Sequence, residues 1–270
     1  MLIVGELINS SRKAIKPAVI DKDAKLIQEL TLKQVEAGAD YVDVNCGTQV
    51  FNEVETMQWL VEIIQQASDA PLCIDSPSEK ALAAGLEAAK GNGKQQMINS
   101  ITAESDRYHT IISLAQEYKP KLVALCMDDQ GMPETADDRI RVIDKLINNL
   151  TKDGVKAEQI YLDPLVKPVS TGDKAGLEVL DTLRYIRQSY PGVHTICGLS
   201  NISFGLPNRK VLNRVFLIQT MTAGMDGYIL DPLDKEMMGA LHASRALLGQ
   251  DEYCVNYLSA HRQGLYNKNQ

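Results

Sequence analysis

Eight short apolar runs alternate with longer segments of helical periodicity along this 270-residue chain, and this alternation constrains the fold most strongly. Residues 21–40 and 53–69 illustrate the longer segments, because their apolar residues recur at spacings of three and four. Strands that alternate with helices are expected to pair in parallel, and eight repeats in about this length predict a TIM (β/α)8 barrel. The predicted strands are Leu2–Gly5, Tyr41–Asn45, Leu72–Asp75, Gln96–Asn99, Lys121–Cys126, Ile160–Asp163, His194–Gly198 and Tyr228–Asp231.

A doubly wound open sheet is the alternative fold. That fold would need a glycine-rich phosphate loop after the first strand, and "GELINSS" at residues 5–11 lacks the GxGxxG pattern.

No Gly/Ser/Pro-rich or charged stretch is long enough for a linker, so residues 1–270 are predicted to form one domain.

Charge and cysteine content limit the partners and the compartment. The net charge is −7 and no run of lysines or arginines is present, so a nucleic-acid partner is not expected. The start of the chain lacks the basic flank and small-residue site of a signal peptide, and no apolar stretch approaches the roughly 20 residues of a membrane span. Five cysteines without short spacings predict reduced thiols and a cytoplasmic protein.

Carboxylates and carboxamides stand where the predicted strands end. In a barrel those ends form the active face, so their side chains are candidates for a site. Asp231 precedes Pro232 and is assigned to structure as a turn former. The residues at this face are Glu6, Asn9, Asp43, Asn45, Asp75, Asn99, Met127, Asp128, Asp163, Ser200, Asn201 and Asp231.

Other reactive side chains are poorly placed for catalysis. Three histidines fall in predicted helices or the tail, and the fourth starts a strand at the opposite face: His109, His242, His261 and His194. A Schiff-base lysine would stand at the end of a strand, whereas the lysines considered lie in loops or at helix starts: Lys94, Lys167 and Lys210. Four cysteines near strands lack CxxC spacing and are interpreted as core thiols, so no metal site is predicted: Cys46, Cys73, Cys126 and Cys197.

The remaining chemistry is binding by hydrogen bonds. A carboxylate can accept two adjacent donors at once, which suits a flat heterocycle with neighbouring ring N–H and exocyclic amine groups. A reduced pterin is such a molecule, but the residues alone indicate only a polar heterocycle in a barrel mouth.

Six motifs follow one another at or near the ends of the predicted strands: "GELIN" (5–9), "DVNCG" (43–47), "LCIDS" (72–76), "MINS" (97–100), "YLDPL" (161–165) and "GLSNIS" with "NR" (198–209). These motifs resemble those of the pterin-binding methyltransferases, in particular the methyltetrahydrofolate:corrinoid protein methyltransferases related to the folate domain of cobalamin-dependent methionine synthase. The similarity runs from residue 1 to about residue 255 in matching order. It implies a TIM barrel of the pterin-binding type, a homodimer, tetrahydrofolate or 5-methyltetrahydrofolate as substrate, and a separate protein that carries cobalamin.

The resemblance also implies roles for individual residues. Asp75, Asn99 and Asp163 are expected to hydrogen-bond the pterin ring. Asn201 is expected to be the catalytic residue, because it would face N5, the nitrogen that bears the methyl group. Arg209 is expected near the folate or in shaping the loop around it.

The pocket wall and the first-strand signature complete the expected site. The wall is expected to contain Asp43, Asn45, Gly198 and Ser200. Glu6 and Asn9 match the signature of the first strand, which reads "GEL" here and often "GER" in relatives, so no charge-based role is expected of Leu7.

Two other functions stay open. A dihydropteroate synthase would share the barrel and the pterin pocket, but it would call for a lysine-containing loop after strand 7, where this chain has Asn201. A non-catalytic pterin-binding or corrinoid-docking subunit would not need the retained Asn201. Neither the direction of methyl transfer nor the identity of the corrinoid protein follows from the sequence.

Overall fold

The computed structural model describes residues 1–90 and 93–266, and these residues form eight strands and ten α-helices. The strands are β1 (Leu2–Gly5), β2 (Tyr41–Asn45), β3 (Leu72–Asp75), β4 (Met97–Ala103), β5 (Lys121–Asp128), β6 (Ile160–Asp163), β7 (His194–Thr195) and β8 (Gly227–Leu230). All pair in parallel, in the order β7-β6-β5-β4-β3-β2-β1-β8.

The helices lie between the strands. They are α1 (Lys16–Ile20), α2 (Ala24–Glu36), α3 (Glu53–Ala67), α4 (Glu79–Ala89), α5 (Ser105–Tyr118), α6 (Ala136–Lys152), α7 (Ala175–Ser189), α8 (Arg209–Ala223), α9 (Lys235–Leu247) and α10 (Val255–Arg262). Side-chain hydrogen bonds cap the amino ends of several helices. At α6 the Thr135 hydroxyl accepts from the Asp138 N–H at 3.1 Å, and the Asp138 carboxylate accepts from the Thr135 N–H at 3.0 Å. This capping box fixes the start of α6.

Contacts between β7 and β8 bring the two ends of the sheet together. The Ile229 N–H donates to the Cys197 carbonyl at 2.9 Å, and Gly198 forms an isolated parallel bridge with Ile229. Gly227 permits this approach, because a Cβ there would lie 2.7 Å from the Thr195 carbonyl oxygen. The predicted (β/α)8 barrel is therefore confirmed.

Three strands differ in length from the sequence prediction. β4 continues past Asn99 and β5 past Cys126, because the two strands go on pairing with each other as far as Ala103 and Asp128. β7 is regular only over His194–Thr195, because the chain then turns towards a 3-10 helix at Leu199–Ser203.

An apolar layer fills the barrel below the carboxyl ends of the strands. Each strand or its immediate extension contributes one buried side chain, and together they form one cluster: Val4, Tyr41, Cys73, Met97, Val123, Tyr161, Ile196 and Ile229. The apolar faces of the helices pack around the outside, as with Val142, Leu146 and Leu150 of α6. Among the described residues, no helix is both long and apolar enough to cross a membrane.

Candidate functional site

The period of two along a strand places polar side chains directly above the apolar layer. Side chains two residues apart face the same way, so Asp43 follows Tyr41 of the layer, and Asp75 likewise follows Cys73. The same step leads from Tyr161 to Asp163. The polar residues line a cavity of about 630 Å³ at the carboxyl ends of the strands.

The cavity gathers nearly all of the site residues expected from the sequence. It is lined by Glu6, Asn9, Asp43, Asp75, Asn99, Asp163, Gly198, Ser200, Asn201 and Arg209. Asn45 is not among the lining residues. Its Nδ2 donates to Asp75 Oδ2 at 2.9 Å, so Asn45 orients a cavity carboxylate from behind.

Two other residues at this face have structural partners. Asp128 accepts from Arg141 Nη1 at 2.5 Å and from the Gln130 N–H at 3.0 Å, and it does not line the cavity. Asp231 stands at the rim, where its Oδ1 accepts from the Leu233 N–H at 2.9 Å as expected of a turn former.

Burial raises the pKa of the Asp75 carboxyl to about 6. The Asn45 hydrogen bond and the positive charge of Arg107 lower this pKa but do not offset the burial. Arg107 itself donates to backbone carbonyls, with Nη2 at 2.7 Å from Ser100 O. At neutral pH Asp75 is therefore largely ionised and ready to accept hydrogen bonds.

Asp163 is held by the turn that follows β6. Its Oδ1 accepts from the Leu165 N–H at 2.8 Å. Burial raises the pKa of Asp163 to about 7, while the Leu165 N–H and the charge of Arg139 act in the opposite direction. The charge state of this carboxyl therefore changes near neutral pH.

Asp43 is the most buried carboxyl of the cavity, with 1% of its surface exposed. Burial and the negative charge of Asp75 raise its pKa well above the ordinary value. Within the described part of the chain, its Oδ1 is buried and has no hydrogen-bond partner. A buried polar atom in this state is destabilising unless a ligand or water supplies the partner.

Asn201 lies on the 3-10 helix Leu199–Ser203, which we call the Asn201 turn. Its N–H donates to the Gly198 carbonyl at 3.2 Å. Gly198 leaves room for the amide, because a Cβ there would lie 3.2 Å from Asn201 Nδ2. The Asn201 side chain is exposed at the cavity, where its carboxamide can both donate to and accept from a ligand.

Arg209 stabilises the same turn. Its Nη2 donates to the Ser200 carbonyl at 2.6 Å, and its Nε donates to Ser203 Oγ at 3.0 Å. The guanidinium also lies over the Phe204 ring, 5.7 Å from its centroid. Arg209 therefore shapes the loop that presents Asn201.

Sequence reasoning missed several polar residues of the cavity wall, among them Arg12 and Asn213. Arg12 donates from Nη2 to Glu6 Oε1 at 2.5 Å, whereas Leu7 is buried and its N–H donates to Gln34 Oε1 at 3.0 Å. Arg12 thus supplies a cation beside Glu6. Asn213 of α8 also lines the cavity, and its Oδ1 has no hydrogen-bond partner among the described residues.

One histidine and two lysines have acidic partners, and Lys210 also lines the cavity. His194 lies at the amino end of β7, where its Nδ1 is 2.7 Å from Asp226 Oδ2. Lys167 and Lys210 form ion pairs with Glu134 and Asp234. The four core cysteines are buried free thiols, and within residues 1–90 and 93–266 no three His, Cys, Asp or Glu residues are grouped to hold a metal ion.

Solved structures of similar shape are dihydropteroate synthases. The enzyme of Yersinia pestis superposes with a TM-score of 0.68 at 15% identity, covering 92% of this chain and 93% of that chain. The enzyme of Xanthomonas albilineans gives a TM-score of 0.69 at 16% identity, covering 92% of this chain and 91% of that chain. At these identities the likeness supports the barrel fold alone.

Sequence comparisons identify relatives of known activity. The chain is 37% identical over 266 residues to the methylcorrinoid:tetrahydrofolate methyltransferase of Eubacterium limosum, covering 98% of this chain and 97% of the relative. It is 33% identical over 243 residues to the methionine synthase of Mycobacterium leprae, covering 85% of this chain but 20% of that protein. Residues 6–231 match the family described as pterin binding enzymes.

The family resemblance drawn from the sequence motifs is therefore confirmed. The chain belongs to the pterin-binding enzyme family, and within it is similar over nearly its whole length to the methylcorrinoid:tetrahydrofolate methyltransferase of Eubacterium limosum.

Proposed function

We propose that this protein transfers a methyl group between N5 of tetrahydrofolate and the cobalt of a corrinoid held by a separate protein. The observation that carries the proposal is the cavity itself, which brings Asp75, Asn99 and Asp163 together with the Asn201 carboxamide in one lining. The printed activity of the relative from Eubacterium limosum, 37% identical over nearly the whole chain, supports the same reaction.

Pterin recognition is assigned to the carboxylates and the carboxamide of the barrel mouth. An ionised Asp163 or Asp75 can accept two adjacent N–H donors, as the 2-amino-4-oxo pyrimidine of a pterin presents them. Asn99 can donate to one ring atom and accept from another. Asp43 Oδ1, which has no partner among the described residues, offers one more hydrogen-bonding atom to a ligand in the cavity.

Asn201 is proposed to act on N5. Transfer from N5 to cobalt leaves electron density on the nitrogen, which must gain a proton or a hydrogen bond by the transition state. A carboxamide can switch between donor and acceptor without adding a charge that opposes protonation. The corrinoid supplies the cobalt that accepts or delivers the methyl group, so the chain has to position N5 and stabilise its change of charge.

The direction and the partner are proposed from the relative. Its name gives a methylated corrinoid as donor and tetrahydrofolate as acceptor. We propose the same direction and a corrinoid protein as the physiological partner. Neither a nucleic acid nor a membrane is proposed as a partner, and the free cysteines support a reducing, cytoplasmic location.

A pair of assays distinguishes methyl transfer from the reaction of a dihydropteroate synthase. Purified protein is expected to move the methyl group of a methylated corrinoid protein to tetrahydrofolate, and that of 5-methyltetrahydrofolate to the reduced corrinoid protein, both measured by the absorbance of the corrinoid. It is expected to form no dihydropteroate from p-aminobenzoate and dihydropterin pyrophosphate. Condensation without methyl transfer would contradict the proposal, and tetrahydrofolate binding without either reaction would favour a non-catalytic pterin-binding subunit.

A homodimer is proposed through an exposed apolar stripe on α8. Val211, Val215 and Ile218 follow helical spacing and are 59%, 49% and 45% exposed. Because such a stripe favours association, sedimentation equilibrium is expected to give twice the chain mass, and Val215→Glu is expected to give monomers. Val50→Glu, at an exposed residue between β2 and α3, is the control and is expected to stay dimeric. A monomeric parent protein would contradict the proposal.

A further inference from the structure

Arg139 is the largest side chain that is fully buried among the described residues, with 0% of its surface exposed. It lies in the first turn of α6, outside the barrel wall, and it does not line the cavity. Burial of a charged group strongly destabilises a fold unless the group is hydrogen-bonded, so the partners of this guanidinium indicate its role.

The hydrogen bonds of the guanidinium in the described part of the chain all go to backbone carbonyls. Nη1 donates to Glu134 O at 3.2 Å and to Thr135 O at 3.0 Å, at the start of its own helix. Nε donates to Pro164 O at 2.8 Å, and Nη2 donates to Leu165 O at 3.2 Å. Arg139 therefore joins α6 to the segment that follows β6.

That segment holds a cavity carboxylate. Leu165 has a φ of 58°, a left-handed conformation that a leucine seldom adopts unless its surroundings impose it. Arg139 holds the carbonyl on each side of the Leu165 Cα, and the Leu165 N–H donates to Asp163 Oδ1 at 2.8 Å. A continuous chain of contacts thus runs from the buried guanidinium to Asp163.

The same two residues, Arg139 and Leu165, also affect the pKa of Asp163. Burial raises the pKa of Asp163, whereas the Leu165 N–H and the positive charge of Arg139 lower it. The other titratable groups near Asp163 are the thiols of Cys126 on β5 and Cys197 just after β7, together with the charged residues that line the same cavity. Those residues are Glu6, Arg12, Asp43, Asp75, Arg209, Lys210, Asp231 and Asp234. Burial raises the pKa values of these two thiols, so they stay neutral and add no negative charge beside Asp163.

We propose that Arg139 is a positioning residue that aims the Asp163 carboxylate into the cavity through the Pro164–Leu165 turn. Its relevance to a pterin rests on the function proposed above. Its effect on Asp163 does not depend on that function, because the contacts are present within the chain itself.

The test measures Asp163 directly. In ligand-free protein, the ¹³C signal of the Asp163 carboxyl is identified by its loss in Asp163→Asn and titrated in the parent and in Arg139→Met. The midpoint of the Asp163 titration is expected to rise by about one pH unit in Arg139→Met, because this variant lacks the nearby positive charge. Arg139→Lys keeps the charge without the planar fork and is expected to give a smaller rise. Arg141→Gln, two residues along α6 and paired with Asp128, is the control and is expected to leave the midpoint unchanged.

Binding is measured on the same samples. Arg139→Met is expected to bind tetrahydrofolate at least about tenfold more weakly at pH 7 and to recover part of this affinity at pH 9, where Asp163 is ionised again. An unchanged Asp163 midpoint in folded Arg139→Met, or in folded Arg139→Lys should the first variant not fold, would overturn the inference. Lack of tetrahydrofolate binding by the parent protein would contradict the proposed function, while the titration still decides the role of Arg139.

Discussion

Replacing Asn201 by alanine is expected to slow methyl transfer at least about 100-fold while methyltetrahydrofolate binding stays within about tenfold of the parent protein. The reason is that the hydrogen bond to N5 strengthens as the nitrogen becomes protonated. It therefore stabilises the transition state more than the bound substrate, and its loss lowers turnover more than affinity. The measurement is single-turnover kinetics with reduced cobalamin, together with calorimetric titration of the folate.

A control separates this effect from damage to the turn. Ser203 and Arg209 hold the Asn201 turn through the hydrogen bond between Nε and Oγ, so Ser203→Ala perturbs the turn but keeps the carboxamide. We expect Ser203→Ala to retain most of the rate. Asn201→Asp is expected to be less impaired at low pH, where a protonated carboxyl can still donate. If Asn201→Ala loses affinity only and transfers methyl at the parental rate when saturated, another group must assist N5.

Replacing Asp163 by asparagine is expected to weaken tetrahydrofolate binding at least tenfold and to stabilise the folded protein at pH 8. Binding weakens because the amide accepts through one atom only, and a pterin donor left without a partner costs about 1–3 kcal/mol. Stability rises because the pKa of Asp163 is about 7 in the folded protein, well above that of an unfolded aspartate. At pH 8 the folded state therefore holds a charge that burial disfavours, and asparagine removes it.

The stability gained in Asp163→Asn is expected to depend on pH. An unfolded aspartate is ionised above about pH 4, whereas the folded Asp163 binds a proton up to about pH 7. The gain from Asp163→Asn is thus expected to be about 1–4 kcal/mol at pH 8 and to have nearly disappeared at pH 4, where the folded carboxyl is protonated and the unfolded one is about half protonated. Denaturant unfolding at both pH values measures it. A variant that is destabilised at pH 8 and binds folate normally would remove Asp163 from the proposed site.

The barrel and most of the cavity could be predicted from the sequence because both follow from strand periodicity. Asp75 and Asp163 end their predicted strands, and a parallel sheet brings such ends to one edge. The length of β7 could not be predicted in this way, because "HTICG" reads as one apolar run. Its last residues are shaped by contacts with Ile229 and by the Asn201 turn, which are distant in sequence or irregular.

The residues that sequence reasoning missed lie on helices and loops. Arg139 and Arg141 are two residues apart on α6, yet Arg139 is fully buried while the Arg141 side chain is 45% exposed. A charged residue is ordinarily predicted to face solvent, and burial of Arg139 is possible because backbone carbonyls at the start of α6 and in a remote turn accept its hydrogen bonds. Arg12 escaped notice for a similar reason, because its contact with Glu6 depends on how the segment after β1 folds back over the barrel mouth.

The movement of a labelled methyl group tests the central proposal most directly. Protein is mixed anaerobically with tetrahydrofolate and a corrinoid protein that carries a ¹³C-methyl group on cobalt, and the product is analysed by NMR. We predict that the label appears on N5 of the folate within a single turnover, that it returns to cobalt in the reverse mixture, and that both rates fall in Asn201→Ala. A parent protein that binds tetrahydrofolate in the cavity but leaves the label on cobalt would contradict the proposed function.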